Sequence, residues 1–115
     1  MHVKFCGFTQ LSDIHTAIGL GVDAVGLVFY PPSPRAVTPM QAKTLSAAVP
    51  AFMSVVALVV NMPKDELVEL ADTVPFDIIQ FHGDETPEEC EQLASAVKKR
   101  WIKALRINAE QHTLD

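Results

Sequence analysis

Asp23-Ala24-Val25-Gly26-Leu27-Val28-Phe29 is the stretch on which the fold turns. Its apolarity is unbroken, which marks a strand buried on both faces rather than one half-exposed to water. A stiff, proline-rich loop follows, Tyr30-Pro31-Pro32-Ser33-Pro34-Arg35. Next comes Thr38-Pro39-Met40-Gln41, which has the form of a capping box with proline at the first helical position. The helix it opens carries Ala42, Leu45, Ala48 and Val49 at helical spacing. Strand, loop and helix together make one βα unit.

The same unit recurs on both sides. Upstream, Val3 to Cys6 reads as a strand, and Thr9 is placed to cap a helix bearing Leu11, Ile14, Ala17 and Ile18. Gly19 and Gly21 are expected to end that helix. Downstream, Ser54 to Asn61 is a strand rich in β-branched residues. Pro63 opens a helix with Leu67, Leu70, Ala71 and Val74 on one stripe. Asp77 to His82 is a fourth strand, and Thr86-Pro87-Glu88-Glu89 is a second capping box whose helix buries Cys90, Leu93, Ala94 and Val97. Trp101 to Ile107 is a fifth strand, and Asn108 with Gln111 looks like a fifth helix start. Strict βα alternation implies parallel strands joined by right-handed crossovers. Periodicity by itself leaves an open doubly wound sheet and a closed (β/α)8 barrel both standing.

Composition bounds the function. The chain has 115 residues, 49% of them hydrophobic and 20% charged, which describes a globular domain. The net charge of −5 argues against a protein that coats nucleic acid. No apolar run reaches the ~20 residues of a membrane span, and the first residues lack the apolar core of a secretion signal. A cytoplasmic location is therefore expected, with Cys6 and Cys90 as free thiols. His2, His15 and His112 show no ligand spacing, so no metal site is expected.

In either α/β architecture, ligands meet the carboxyl ends of the strands. The polar residues there are Cys6, Arg35, Asn61, His82 with Asp84, and Arg106. Strand parity groups Lys4 with Cys6, Val55, Ala57 and Val59 with Asn61, and Ile78 and Gln80 with His82. If the last polar residue of each set faces the site, the others line the barrel interior. Lys4 would then lie one layer below Cys6 and favour its thiolate. Each residue also has a plainer reading. Cys6 can be a small buried hydrophobe, His82 a satisfied strand-end histidine, and Asn61 a support for the next helix. Arg35 can be a solvated charge, Asp84 and Glu85 an exposed turn, and Lys98-Lys99-Arg100 a solvated helix end.

At these residues the sequence resembles a known family. Lys4-Phe5-Cys6-Gly7-Phe8-Thr9, Phe29-Tyr30 with Ser33-Pro34-Arg35, Val59-Val60-Asn61, Gln80-Phe81-His82-Gly83-Asp84-Glu85 and Lys103-Ala104-Leu105-Arg106 are similar, in order and spacing, to the phosphoribosylanthranilate isomerases. The resemblance covers essentially the whole chain. It implies a (β/α)8 barrel of tryptophan biosynthesis, of which residues 1–115 are expected to be the N-terminal part, about five units of eight. It implies an Amadori rearrangement of a phosphosugar–anthranilate substrate by acid–base chemistry, without cofactor, nucleic-acid or membrane partner.

By the same resemblance Cys6 matches the general base, Arg35 the residue beside the substrate carboxylate, and His82 a site-lining residue. Asn61 and Arg106 join them as substrate-binding candidates on strand-end position alone. The family's general acid is an aspartate ending a sixth strand, and its phosphate loops follow the seventh and eighth. Asp115 falls in the expected fifth helix and is not assigned that role. The chain is therefore expected to be inactive and only marginally stable alone. Its alternative role is a non-catalytic half-barrel that self-associates through its open edge or pairs with a C-terminal half.

Overall fold

A computed structural model describes residues 4–6 and 10–103. Five strands alternate with four helices: β1 (Lys4–Cys6), α1 (Leu11–Leu20), β2 (Ala24–Val28), α2 (Pro39–Ala47), β3 (Ser54–Val59), α3 (Lys64–Thr73), β4 (Ile78–Phe81), α4 (Pro87–Val97) and β5 (Arg100–Lys103). The remainder of the expected fifth strand and the expected fifth helix start lie outside the described residues.

The strands form one parallel sheet in the order β1-β2-β3-β4-β5. This order decides between the two architectures. A doubly wound sheet reverses its strand order at a switch point, whereas a barrel wall adds each strand beside the last. No reversal occurs here. The helices agree, because Ile14 and Ala17 of α1, Ala42 and Leu45 of α2, Leu67 and Leu70 of α3, and Cys90 and Ala94 of α4 share one core cluster. All four cover the same side of the sheet, as the outer helices of a barrel do.

Local chemistry sets the helix ends. In both α2 and α4 a threonine accepts from the N3 amide while the N3 side chain returns the bond: Thr38 with Gln41, and Thr86 with Glu89. Each box satisfies two amides that the first helical turn leaves open. α1 starts differently: its N-cap is Gln10, without a side-chain cap bond. Gly19 is a helical residue, and only Gly21 ends α1, in the left-handed region at φ 72°, where glycine carries no Cβ penalty. The basic run after α4 is not one solvated end. Lys98 closes the helix at φ 58°, the Lys99 ammonium sits 5.3 Å from the Phe76 ring centre, and Arg100 begins β5.

Register sorts the sheet into two faces. In-register Val25 and Val55, then Leu27, Ala57 and Ile79, then Val59 and Phe81, pack in the cluster with the helices. The other rows run Gly26–Val56–Ile78–Arg100 and Val28–Leu58–Gln80–Ile102, with Cys6 in register beside Gly26. This overturns the expectation that Val55, Ala57 and Val59 line the barrel interior. They face the helices and are fully buried there. The expectation took Asn61 as the marker of the interior face. The strand ladder stops at Val59, Asn61 turns into the left-handed region at φ 50°, and its side chain bonds the neighbouring loop instead. Ile78 and Gln80, the parity of His82, do lie on the helix-free face.

Candidate functional site

The carboxyl ends of the strands converge on one rim. Cys6 is the last residue of β1. After β2 the Phe29 amide continues the ladder to the Leu58 carbonyl at 2.9 Å, and the proline loop begins. That loop is a built structure. The Ser33 amide donates to the Tyr30 carbonyl, the Ala36 amide to the Ser33 carbonyl, and the Arg35 amide to the Ser33 hydroxyl at 3.2 Å. A one-residue parallel bridge between Val28 and Ala36 closes it onto β2. The exposed Arg35 side chain thus stands on a stiff base, and its guanidinium makes no ion pair with any described residue.

His82 follows β4 directly, half-buried, and its amide donates to the Val59 carbonyl at 2.9 Å. The next residues form a network that no local sequence pattern foretells. The Glu85 carboxylate accepts from the Asn61 amide at 2.8 Å, the Gly83 amide at 2.9 Å and the Lys103 ammonium at 3.0 Å. Lys103 also donates to the Gly83 carbonyl. The Asn61 side-chain oxygen accepts from the Asp84 amide at 2.9 Å. Three strand ends, β3, β4 and β5, are fastened through one carboxylate whose side chain is 5% exposed.

Gly83 is required for that approach. A Cβ there would lie 2.6 Å from the Asn61 side-chain oxygen and 2.8 Å from the Asn61 amide nitrogen. Burial pushes the Glu85 carboxyl up, but the Lys103 ammonium and the backbone amides outweigh it and hold the group below its ordinary value. A carboxyl with a depressed folded value adds stability above its unfolded value of 4.5 and loses it as pH falls through the lower folded value. Acid unfolding monitored by circular dichroism should therefore show a shallower limb in Glu85→Gln than in the parent chain.

Of the expected site residues, the structure sets Arg35 and His82 on the rim with Cys6 at the neighbouring strand end. Asn61 is also on the rim, but its amide oxygen is engaged in holding the Gly83–Asp84 turn. Arg106 lies outside the described residues. Asp84 is exposed as expected, whereas Glu85 is buried. Burial also pushes the Cys90 thiol up, and Cys90 sits inside the core rather than on the rim. Two clefts of about 560 and 680 Å³ among the described residues lie against α3 and between the starts of α3 and α4, and neither is lined by Arg35 or His82. Among the described residues no cluster of three His, Cys, Asp or Glu side chains could hold a metal ion.

Residues 3–114 match the sequence profile of the N-(5'-phosphoribosyl)anthranilate (PRA) isomerase family. The chain belongs to this family. The phosphoribosylanthranilate isomerase of Acinetobacter calcoaceticus is 45% identical over 112 residues, covering 97% of this chain and 53% of the relative. The isomerase of Pseudomonas syringae pv. tomato is 51% identical over 106 residues, covering 92% and 50%. Among solved structures, a phosphoribosylanthranilate isomerase in complex with reduced 1-(o-carboxyphenylamino)-1-deoxyribulose 5-phosphate superposes with a TM-score of 0.88 at 34% identity, over 99% of this chain and 58% of that one. The Thermotoga maritima isomerase gives the same TM-score and identity over 99% and 55%. The chain spans about half the length of the curated relatives it matches. The partial barrel seen here is thus the isomerase barrel's wall.

The sequence missed Glu85 and Lys103. Lys103 carried a faint signal, since it shares the parity of the core-facing Trp101 in a short strand and so had to find a buried partner. For Glu85 no local signal distinguishes a buried clasp from a charged turn.

Proposed function

We propose that this chain provides the first five strands of a phosphoribosylanthranilate isomerase. In the complete barrel it would convert N-(5-phosphoribosyl)anthranilate into 1-(2-carboxyphenylamino)-1-deoxyribulose 5-phosphate, a step of tryptophan biosynthesis. The observation that carries the reading is the rim: Cys6, Arg35 and His82 stand at the carboxyl ends of β1, β2 and β4 of a sequentially ordered parallel sheet. The similar structure noted above holds a ligand with an anthranilate-type carboxylate and a sugar phosphate.

In this mechanism an acid protonates the furanose oxygen and the ring opens to a Schiff base. The Cys6 thiolate then takes the C2 proton, giving an enolamine and a neutral thiol. The enolamine tautomerises to the ketone. The iminium acidifies the C–H bond, so a thiol with an ordinary value of ~8.5 needs only modest lowering to serve as base near neutrality. Arg35 suits the substrate carboxylate because a guanidinium fork pairs with it bidentately. His82 lines the site, and Asn61 serves it by shaping the loop after β4. Arg106 is a further substrate-binding candidate on the fifth strand end. The acid and the phosphate grip are assigned to no residue among these strands, so the chain by itself is not expected to turn over.

The test is an isomerase assay of the chain alone and mixed with the C-terminal half of a family member. Turnover in the mixture and none with the chain alone is expected. No turnover in the mixture, with the family member's own two halves active as control, would overturn the reading. In the active mixture, Arg35→Ala should raise KM about tenfold or more with a smaller change in kcat, the loss expected of a charge-assisted pair. An unchanged KM would return Arg35 to the role of a solvated charge.

A second reading is a half-barrel that acts by association. It is favoured by the helix-free face, where Leu58 and Ile78 are half-buried and Ile102 is 46% exposed. Sedimentation of the chain alone distinguishes the two, a concentration-dependent dimer without turnover in any mixture supporting the second. Among the described residues no helix is long and apolar enough to cross a membrane.

A further inference from the structure

We infer that Glu85 is a positioning residue for the isomerase site: its buried carboxylate ties the ends of β3, β4 and β5 together and thereby fixes where His82 stands on the rim. The inference rests on the proposed function only in taking His82 as a residue that meets substrate.

His82 is held through its backbone from both sides. Its own amide donates to the Val59 carbonyl, and the following residue, Gly83, has both of its peptide groups engaged: the amide by Glu85 and the carbonyl by Lys103. Glu85 also holds the Asn61 amide, just where the β3 backbone departs into the left-handed region. Removing the carboxylate would release the Gly83 and Asn61 amides together, one next to His82 at the end of β4 and the other at the end of the neighbouring strand β3.

Stability alone is a poor reason for this arrangement. A buried ion pair repays its desolvation only with good geometry and is often replaced by apolar side chains at little cost. Nor is Glu85 needed to start α4, since Thr86 and Glu89 cap that helix without it. What a fully bonded buried carboxylate does provide is a single arrangement of the groups around it. Here those groups are three strand ends at the rim where a barrel binds its ligand.

The test compares Glu85→Gln with the parent, isotopically labelled, in the chain alone and in its mixture with a C-terminal half. The glutamine keeps the size but turns an amide donor toward one of the two backbone amides. The expected result is a shift of the His82 imidazole resonances, with kcat lowered about tenfold or more and KM moved far less. Glu88→Gln, an exposed first-turn residue of α4, should change neither. Should Glu85→Gln fail to fold, Lys103→Met is read in its place, because it leaves the carboxylate with its two amides and should shift His82 in a folded chain. Unchanged His82 resonances and unchanged kcat in a folded variant would overturn the inference. Absence of turnover in the parent mixture would instead overturn the proposed function, and the resonances would still decide the role of Glu85.

Discussion

Cys6→Ala is expected to lower kcat of the reconstituted isomerase about 10²–10⁴-fold, the usual contribution of a positioned general base. Affinity for the reduced product analogue should hardly change, because proton abstraction is a transition-state event and the analogue has no iminium to make its C2–H bond acidic. Cys6→Ser should fall nearly as far. Its hydroxyl occupies a similar volume but, unlike a thiol, supplies almost no anion at neutral pH. Single-turnover kinetics together with a titration of the analogue checks both halves of the expectation. Turnover within a factor of two of the parent would return Cys6 to the reading of a small hydrophobe.

Phe81→Ala should cost about 3–5 kcal/mol in stability, the range for truncating a buried phenylalanine. Phe81 is 1% exposed, packs in the core between sheet and helices, and meets the Trp101 ring edge-on with centroids 6.0 Å apart. Trp101 is itself anchored, its indole N–H donating to Glu91 of α4 at 2.9 Å. Truncation therefore leaves a cavity whose walls are tied to two elements and cannot readily collapse. Net stabilities of domains run to only about 5–15 kcal/mol, so the loss takes a large part of what holds the chain folded. Urea unfolding followed by tryptophan fluorescence measures it. Phe52→Ala is the control: that side chain is 83% exposed, and the expected change is within about 0.5 kcal/mol.

Much of the fold was legible from local chemistry. The two capping boxes, at Thr38 and Thr86, were read directly, because their bonds join residues three apart. The unbroken apolar run from Asp23 predicts a strand covered on both faces, and β2 is buried from Val25 to Val28. The helix stripes of Leu67 and Leu70, and of Cys90 and Ala94, face the core as their spacing required. The expected cap of α1 is Thr9 and the observed N-cap is Gln10, a shift of one residue where capping preferences compete with weak alternatives. The motif resemblance named the family correctly, since it rested on several short patterns in a fixed order rather than on any one of them.

The face assignment of β3 shows the limit. Parity is an exact rule, but it needs one residue whose side is known, and Asn61 was the wrong choice. A polar residue at a strand end serves a ligand or a neighbouring loop equally well by local criteria. Only the position of Gly83, brought within contact of Asn61 from 22 residues away, shows that this one serves the loop. Glu85 is the same case in stronger form, its partners being supplied by three different strand ends.

By itself, then, the amino-acid sequence determined the alternation of elements, their caps, their buried stripes and the family, all of which depend on residues near one another or on motif order. The tertiary structure alone decided the sequential strand order that makes a barrel wall, the side of the sheet that the helices cover, and the clasp of Glu85, Lys103, Asn61 and Gly83. The physical reason is that a buried charge is tolerated only where partners distant in sequence converge on it.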